Sequence, residues 1–348
     1  MRLLTYNLWH GLSPSSVVAF EALEPKGRRE LRQRMQIELL QELRPDVTFM
    51  QEVNPAQERA HEFEQRLGMT SALQGDLVGL KLFGIGLPLN LNSGLVTLAG
   101  ASYGLKKIEG VSLSRPGTHY VQGWGSWQLK EERFALLCEA MLPKWGRVLV
   151  VNTHLHHGLE TTPEFLKEID KLCEDLNLSE SIVTELKTRL AAAGQRRVRE
   201  VEVLLSAVAR HQKRYEVVLI GGDLNCRPGS DVTHLLAEAG FRDIWHEANH
   251  GDGGFSFDGT VNVANHRMQE NFPLTLVVED LSFSVKVKEA LMALARKQEN
   301  RPRRIDHLWM RSGSVGLKAK SARLVGLPNA EGLAPSDHFG VCADIELV

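Results

Sequence analysis

Cysteine, aromatic residues, charge of one sign and long apolar runs are all in short supply in this chain. Its four cysteines, Cys138, Cys173, Cys226 and Cys342, are scattered. No Cys-x-x-Cys pair exists to suggest a zinc knot or a redox dithiol, so free thiols are the expectation. Against 41 basic side chains stand 43 acidic ones, for a net charge of -2. No whole-chain field gathers polyanions, and a nucleic-acid role would need a local basic groove. Aromatic residues make up only 6% of the chain, few for a platform on which bases stack. No apolar run approaches the roughly 18 to 20 residues that a membrane span needs. Strand character begins at Arg2, leaving no room for a leader unless one was trimmed, so a soluble cytoplasmic protein is expected. The 348 residues, 43% hydrophobic and 24% charged, are globular in composition, and residues 1–348 are read as one large α/β domain.

What is present centres on Val217-Val218-Leu219-Ile220-Gly221-Gly222-Asp223-Leu224-Asn225-Cys226-Arg227-Pro228. A Val- and Ile-rich run closed by Gly-Gly and followed by Arg-Pro-Gly reads as a buried strand entering a loop. Asp223 and Asn225, two apart, share a face at its exit. A carboxylate and an amide so placed suit a divalent cation and a phosphate oxygen. An Asx turn closing the strand gives the same pattern, so this stretch alone leaves both readings open.

The rest of the chain repeats the theme. Leu3 to Trp9 alternates as a strand, with Asn7 near its end. Arg29 to Leu43 has helical spacing and stops at Pro45; Asp46 to Val53 is a strand with Glu52 at its terminus. Strands are also expected at Asn92 to Leu98, Phe134 to Met141 and Arg147 to Val151, the last leading into Asn152-Thr153-His154-Leu155-His156. Two imidazoles at strand spacing could bind zinc, but the other candidate ligands form a hard oxygen set, and His154 is better used as a proton donor. Helices at Glu164 to Leu176 and Ser179 to Arg214 form a helical insertion around residues 160–214. Arg196, Arg197 and Arg199 alternate with Glu200 and Glu202, as on a solvated amphipathic face. Asp231 to Ala239 is a short helix, and Gly251 to Gly259 a mobile Gly/Asp loop. Residues 265–303 form an irregular insertion with a helix at Lys288 to Lys297. The chain ends in a strand from Arg304 to Met310 carrying Asp306, then Pro335-Ser336-Asp337-His338 and a last strand, Val341 to Val348.

Thr5-Tyr6-Asn7-Leu8-Trp9, Gln51-Glu52-Val53, Asn152-Thr153-His154, Gly222-Asp223-Leu224-Asn225, Arg304-Ile305-Asp306-His307 and Ser336-Asp337-His338 occur in that order. In this the chain resembles the endonuclease/exonuclease/phosphatase superfamily, which includes pancreatic-type deoxyribonucleases, abasic-site endonucleases, inositol-polyphosphate 5-phosphatases and neutral sphingomyelinases. The resemblance implies a four-layer α/β/β/α sandwich of two packed mixed sheets with the site at one edge. It implies Mg²⁺ (with Mn²⁺ or Ca²⁺ as alternatives) bound by Asn7 and Glu52, with Asp337 completing its surroundings. Asp223 and Asn225 would orient the attacking water and hold the scissile phosphate. His338 would be the general base, Asp306 would fix its tautomer, and His154 would contact the phosphate or assist the leaving group. A carboxylate partners the matching His in the deoxyribonuclease branch; the nearby strand here offers only Asn92 and Ser93.

The activity so implied is a Mg²⁺-dependent phosphodiesterase acting as a monomer on a phospholipid, a nucleic acid or a small phosphodiester. The apolar Leu80 to Leu91 stretch reads either as a covered connection or as a lip for peripheral membrane contact, and with Thr153-His154-Leu155-His156 it leans toward the sphingomyelinase side. Arg301, Arg303 and Arg304 would line a groove if the substrate were a nucleic acid. A catalytically inactive binding scaffold is the alternative from another class.

Overall fold

The structure is a computed structural model that describes residues 1–14, 20–78, 81–82, 85–86, 92–114, 119–122, 125–128, 132–251, 253–266 and 284–348. Two strand–helix–strand crossovers organise it. In the first, Arg2–Asn7 leads through the helix Lys26–Leu43 to Val47–Val53, which lies parallel beside it. In the second, Gly146–His154 leads through the helices Pro163–Asp175 and Glu180–His211 to Val217–Asp223, again parallel. Parallel neighbours require such long crossovers, and the intervening helices cover the sheet face.

Each crossover forms the centre of a six-stranded mixed sheet. The first sheet runs Leu317–Val325, Gly340–Leu347, Arg2–Asn7, Val47–Val53, Asn92–Gly100, Met69–Val78. The second runs Arg242–Asp243, Asp306–Ser312, Val217–Asp223, Gly146–His154, Phe134–Leu142, Lys106–Ser112. The other pairings in both sheets are antiparallel. The sheets pack face to face through Phe49, Leu95, Leu136, Val150, Leu219 and Met310. The outer face of the first is covered by Ile37, Leu40 and Phe63 lying on Leu4, Met50 and Leu98. Leu204, Ala207 and Leu236 do the same over Val151, Ile220 and Trp309 of the second. This is the four-layer α/β/β/α sandwich that the resemblance implies. Because both faces of the central strands are buried, those of the second sheet read as continuous apolar runs, residues 148–151 and 217–220, rather than as alternation.

A polar clamp crosses the apolar interface between the sheets. Gln51 Nε2 donates to Asn152 Oδ1 (2.8 Å), while Asn152 Nδ2 donates to the carbonyls of Met50 (3.0 Å) and Val96 (3.1 Å). Both side chains are fully buried. Such a satisfied network is directional where apolar packing is not, and it fixes how the sheets sit just beneath their functional ends.

Several expectations are corrected. The two insertions meet, a contact the sequence did not show: Phe165, Ile169, Leu186 and Leu190 pack against Val287, Leu291 and Ala295 of the helix Val285–Glu299 in a cluster of their own. Arg197 is not on a solvated face; it is buried and donates to the carbonyls of His156 and Gly158, pinning the loop after His154. The Gly/Asp loop is anchored, since Ser256 Oγ accepts from the amides of Ile305 and Asp306. The helix Ala56–Leu67 and the strands Lys106–Ser112 and Leu317–Val325 were not anticipated. The Leu80–Leu91 stretch lies outside the described residues except for the backbone of Lys81–Leu82 and Ile85–Gly86, and residues 267–283 of the second insertion are also outside them.

Candidate active site

The register of the second sheet aligns three polar residues in one row. His154 is the Cα partner of Asp223 across the parallel pair, and Asp223 is the partner of Asp306 across the antiparallel one. All three stand at the end of a strand. The two glycines before Asp223 are there for space: a Cβ on Gly221 would lie 2.4 Å from Phe49 Cγ, and one on Gly222 only 2.0 Å from the Thr153 carbonyl oxygen. Neither approach is compatible with a side chain, so Gly221 makes room for Phe49 of the facing sheet and Gly222 for the adjacent strand.

From the first sheet come Asn7 and Glu52. Pairing of Val47–Val53 with Asn92–Gly100 shifts register between Met50 and Val53, and Glu52 within the shift has φ 54°. A bulge re-aims a side chain, and this one turns the Glu52 carboxylate toward the other sheet. Trp9 (φ 54°) and Asn225 (φ 50°) are also left-handed. Non-glycine residues take this backbone at a cost and concentrate at functional sites.

Asn7 Nδ2 donates to Glu52 Oε1 (3.1 Å) and to Asp223 Oδ2 (3.0 Å), so the carboxylates of the two sheets converge on one amide. Its Oδ1 accepts from the Trp9 amide (3.0 Å). His10 Nε2 lies 3.5 Å from Glu52 Oε2, and His154 Nε2 lies 3.5 Å from Asp223 Oδ2 and 4.0 Å from Glu52 Oε1. Burial works against the Glu52 charge, but His10, His154 and the Asn7 hydrogen bond together hold its carboxyl below the usual range. Asp223 goes the other way: burial, and then the nearby Asp306 carboxylate, push it up to about 7.

On the far side of Asp223, His338 Nδ1 donates to Asp306 Oδ2 (2.8 Å) and its Nε2 faces Asp223 Oδ2 at 3.8 Å. An ionised carboxylate only accepts, so Nδ1 carries the proton and Nε2 is the nitrogen turned to the site. Burial opposes a charge on this ring, yet Asp306, Asp337 and Asp223 raise it to about 10. The Phe257 ring meets it edge-on at 5.0 Å, and the Arg303 guanidinium lies over Phe257 at 4.8 Å. Asp337 reaches the same centre through Ser336, whose Oγ is 3.1 Å from Asp337 Oδ1 and 2.7 Å from the Asn7 carbonyl oxygen.

His154 has an unanticipated partner. Neither Asn92 nor Ser93 meets it; Arg133 Nη1 donates to its Nδ1 at 2.9 Å. Burial and then this guanidinium press its basicity well below normal, so it is held neutral and is no imidazolium. Asn225, buried, donates through Nδ2 to the Leu155 carbonyl (3.0 Å), and its Oδ1 lies 3.3 Å from His157 Nδ1. The expected basic groove is mostly spent elsewhere. Arg304 is buried and bidentate to Asp243, and Arg301 pairs with Glu168.

Asn7, Glu52, His154, Asp223, Asn225, Asp306, Asp337 and His338 therefore stand together. Arg133, His157, Ser256 and the clamp role of Gln51 and Asn152 went unnoticed in the sequence, because each acts through a contact remote along the chain. A cation suits this centre. Carboxylates from two sheets converge on the Asn7 amide, Asp223 is costly to ionise, and buried Asp306 Oδ1 has no hydrogen-bond partner among the described residues. Among the described residues, Asp223, Asp306 and His338 also lie close enough to share an ion. Hard oxygen donors of this kind fit Mg²⁺ or a similar divalent cation.

The profile of the Endonuclease/Exonuclease/phosphatase family matches residues 4–338. No curated protein sequence matches significantly. Among solved structures, a humanized D. rerio TDP2 superposes with a TM-score of 0.57 at 15% identity, covering 99% of this chain and 98% of that one. D. rerio TDP2 complexed with single strand DNA product gives 0.56 at 13% identity, with 99% and 98% covered. The endonuclease/exonuclease/phosphatase from Bacteroides vulgatus gives 0.56 at 14%, with 100% and 98% covered. At these identities the likeness speaks for the fold.

Proposed function

The chain belongs to the endonuclease/exonuclease/phosphatase family, whose members are metal-dependent hydrolases of phosphoester bonds, and we propose that it is a Mg²⁺-dependent phosphodiesterase. The observation that carries this reading is the convergence at Asp223: from the first sheet Asn7 bridges it to Glu52, and His338, just before Gly340–Leu347, faces it while bonded to Asp306; His154 and Asp306 flank it in the second.

Glu52, Asn7 and Asp337 would hold the cation. Mg²⁺, when bound, supplies positive charge to the phosphate and offsets the carboxylate field that keeps His338 protonated. The remaining work falls to side chains of the chain. Asp223 and the Asn225 amide position the attacking water and the phosphate. His338, its Nδ1–H held by Asp306, takes the proton of the water at Nε2, and Asp306 stabilises the imidazolium so formed. His154 donates through Nε2–H to a phosphate oxygen as charge grows.

A nuclease is the second reading, favoured by the D. rerio TDP2 fold relative seen with single strand DNA product. It is weakened by the commitment of Arg304 to Asp243 and by the scarcity of aromatic residues. A Mg²⁺-supplemented panel of bis-p-nitrophenyl phosphate, single-stranded DNA and RNA, plasmid, sphingomyelin and inositol phosphates, with EDTA controls, tests both. We expect EDTA-sensitive hydrolysis of the small diester that His338→Ala abolishes. Absence of metal-dependent turnover on every substrate would leave the binding scaffold in its place.

A further inference from the structure

We propose that Arg133 is a positioning residue that fixes the tautomer of His154, so that this imidazole meets the phosphate as a neutral Nε2–H donor and not as a proton-transferring acid. The proposal rests on the functional reading above for the word phosphate, but its geometry stands alone. Arg133 Nη1 is 2.9 Å from His154 Nδ1, and both residues are buried. A guanidinium has five N–H groups and no acceptor, so Nδ1 must present its lone pair, and the ring proton resides on Nε2. That nitrogen faces Asp223 Oδ2 and Glu52 Oε1, the oxygens around which the site is built.

The fold fixes this contact. Arg133 immediately precedes the strand Phe134–Leu142, whose Ala135 pairs with Thr153, so Arg133 stands one position past the residue opposite His154 and reaches its ring diagonally. Its backbone is tied to the neighbouring strand segment, its amide donating to Ser114 Oγ (3.2 Å) and its carbonyl accepting from the Leu113 amide (2.8 Å). A carboxylate in this place would put the proton on Nδ1 and stabilise an imidazolium; a guanidinium does the reverse. Proton delivery to the leaving group is then not the task of His154. Its contribution is a fixed dipole that needs no reorganisation as charge develops on the phosphate.

The test is two-bond ¹H–¹⁵N correlation spectroscopy of the full-length protein with labelled histidine, with and without Mg²⁺. His154 is identified among the 13 histidines by the signals missing in His154→Gln. We expect pyridine-type Nδ1 and pyrrole-type Nε2 in the wild type, and loss of that pattern in Arg133→Met. On bis-p-nitrophenyl phosphate, Arg133→Met should lower kcat about tenfold or more, short of the roughly 10²- to 10³-fold cost of removing a donor outright, with KM changed less. Arg133→Lys, which also only donates, should restore both pattern and rate. A protonated Nδ1 in the wild type, or an unchanged pattern in Arg133→Met, overturns the proposal. Should Arg133→Met not fold, the wild-type and Arg133→Lys spectra decide. The spectra need no turnover, so a protein inactive on every phosphoester yet showing this tautomer would refute the function and leave the role of Arg133 standing.

Discussion

Asn152→Ala should be among the most destabilising single changes away from the catalytic groups. The alanine removes three buried hydrogen bonds at once: one from Gln51 and two to the Met50 and Val96 carbonyls. At a net value of about 1 kcal/mol each, these account for about 3 kcal/mol. Gln51 Nε2 then keeps only a 3.4 Å contact with Thr5 Oγ1, and leaving it nearly unsatisfied adds roughly 1 kcal/mol or more. A total near 4 kcal/mol is a large part of the roughly 5–15 kcal/mol that separates folded from unfolded chains. Gln51→Leu should cost far less, about 1–2 kcal/mol, because it breaks one of the three bonds and also removes Oε1, which is buried without a partner. Urea unfolding of both variants, compared at unchanged m-value, measures the difference. The clamp argument fails if Asn152→Ala costs under about 1 kcal/mol, or if Gln51→Leu costs more than Asn152→Ala.

Glu52→Gln should weaken Mg²⁺ binding about tenfold or more by calorimetry while the melting curve stays near wild type, since charge is lost at nearly constant shape; an unchanged titration would remove Glu52 from the metal set. His338→Ala should lower kcat at least roughly 10²-fold with KM changed much less, and adding Asp306→Asn should not multiply the loss, because the pair acts as one unit. A stable His338→Ala enzyme with wild-type turnover would end its role as base. His307 gives the pH dependence: burial, then Arg304, lower its ring to about 4 from the ordinary 6.5. With the folded value below the unfolded one, its stabilisation is complete above about pH 6.5 and is lost as pH falls toward 4. The urea midpoint should therefore drop between pH 7 and pH 4.5, and drop less in His307→Gln; equal drops would place the acid sensitivity elsewhere.

Much of the site was legible in the sequence because strand ends are local events. A run such as Val217 to Ile220 halting at Gly-Gly-Asp shows both the strand and the side chain at its exit; His154 reads the same way, and Asp306 reads as the residue at the entry of its strand. What escaped depends on register and long-range pairing. Glu52 seemed to stand at a strand terminus, whereas it sits inside a bulge that appears only when Val47–Val53 pairs with Asn92–Gly100. Arg133 lies 21 positions from His154 and carries no motif of its own. The helix Ala56–Leu67 begins just after Asn54-Pro55, which reads as a breaker, and its buried face includes Arg59 beside Ala60 and Phe63. A guanidinium buried over an aromatic ring hides a core face from any count of apolar spacing.

The two parallel pairs make a further separation testable. Asn7 and Glu52 stand at the end of the pair in the first sheet, and His154 and Asp223 at the end of the pair in the second. In the proposed reading the metal ligands Asn7 and Glu52 would thus stand on one sheet, and the phosphate-facing His154 and Asp223 on the other. Asp223 meets Asn7 and His154 approaches Glu52 across the divide, and the Gln51–Asn152 clamp ties the two sheets just beneath them. Changes confined to one sheet should then divide by phenotype: Glu52→Gln through metal affinity, His154→Gln through kcat at saturating Mg²⁺. Asn152→Ala, which loosens the seam and touches neither half directly, should disturb both together. If its surviving folded fraction kept wild-type metal affinity and kcat, the sheets would hold their spacing by apolar packing alone, and the clamp would contribute stability without contributing to the geometry of the site.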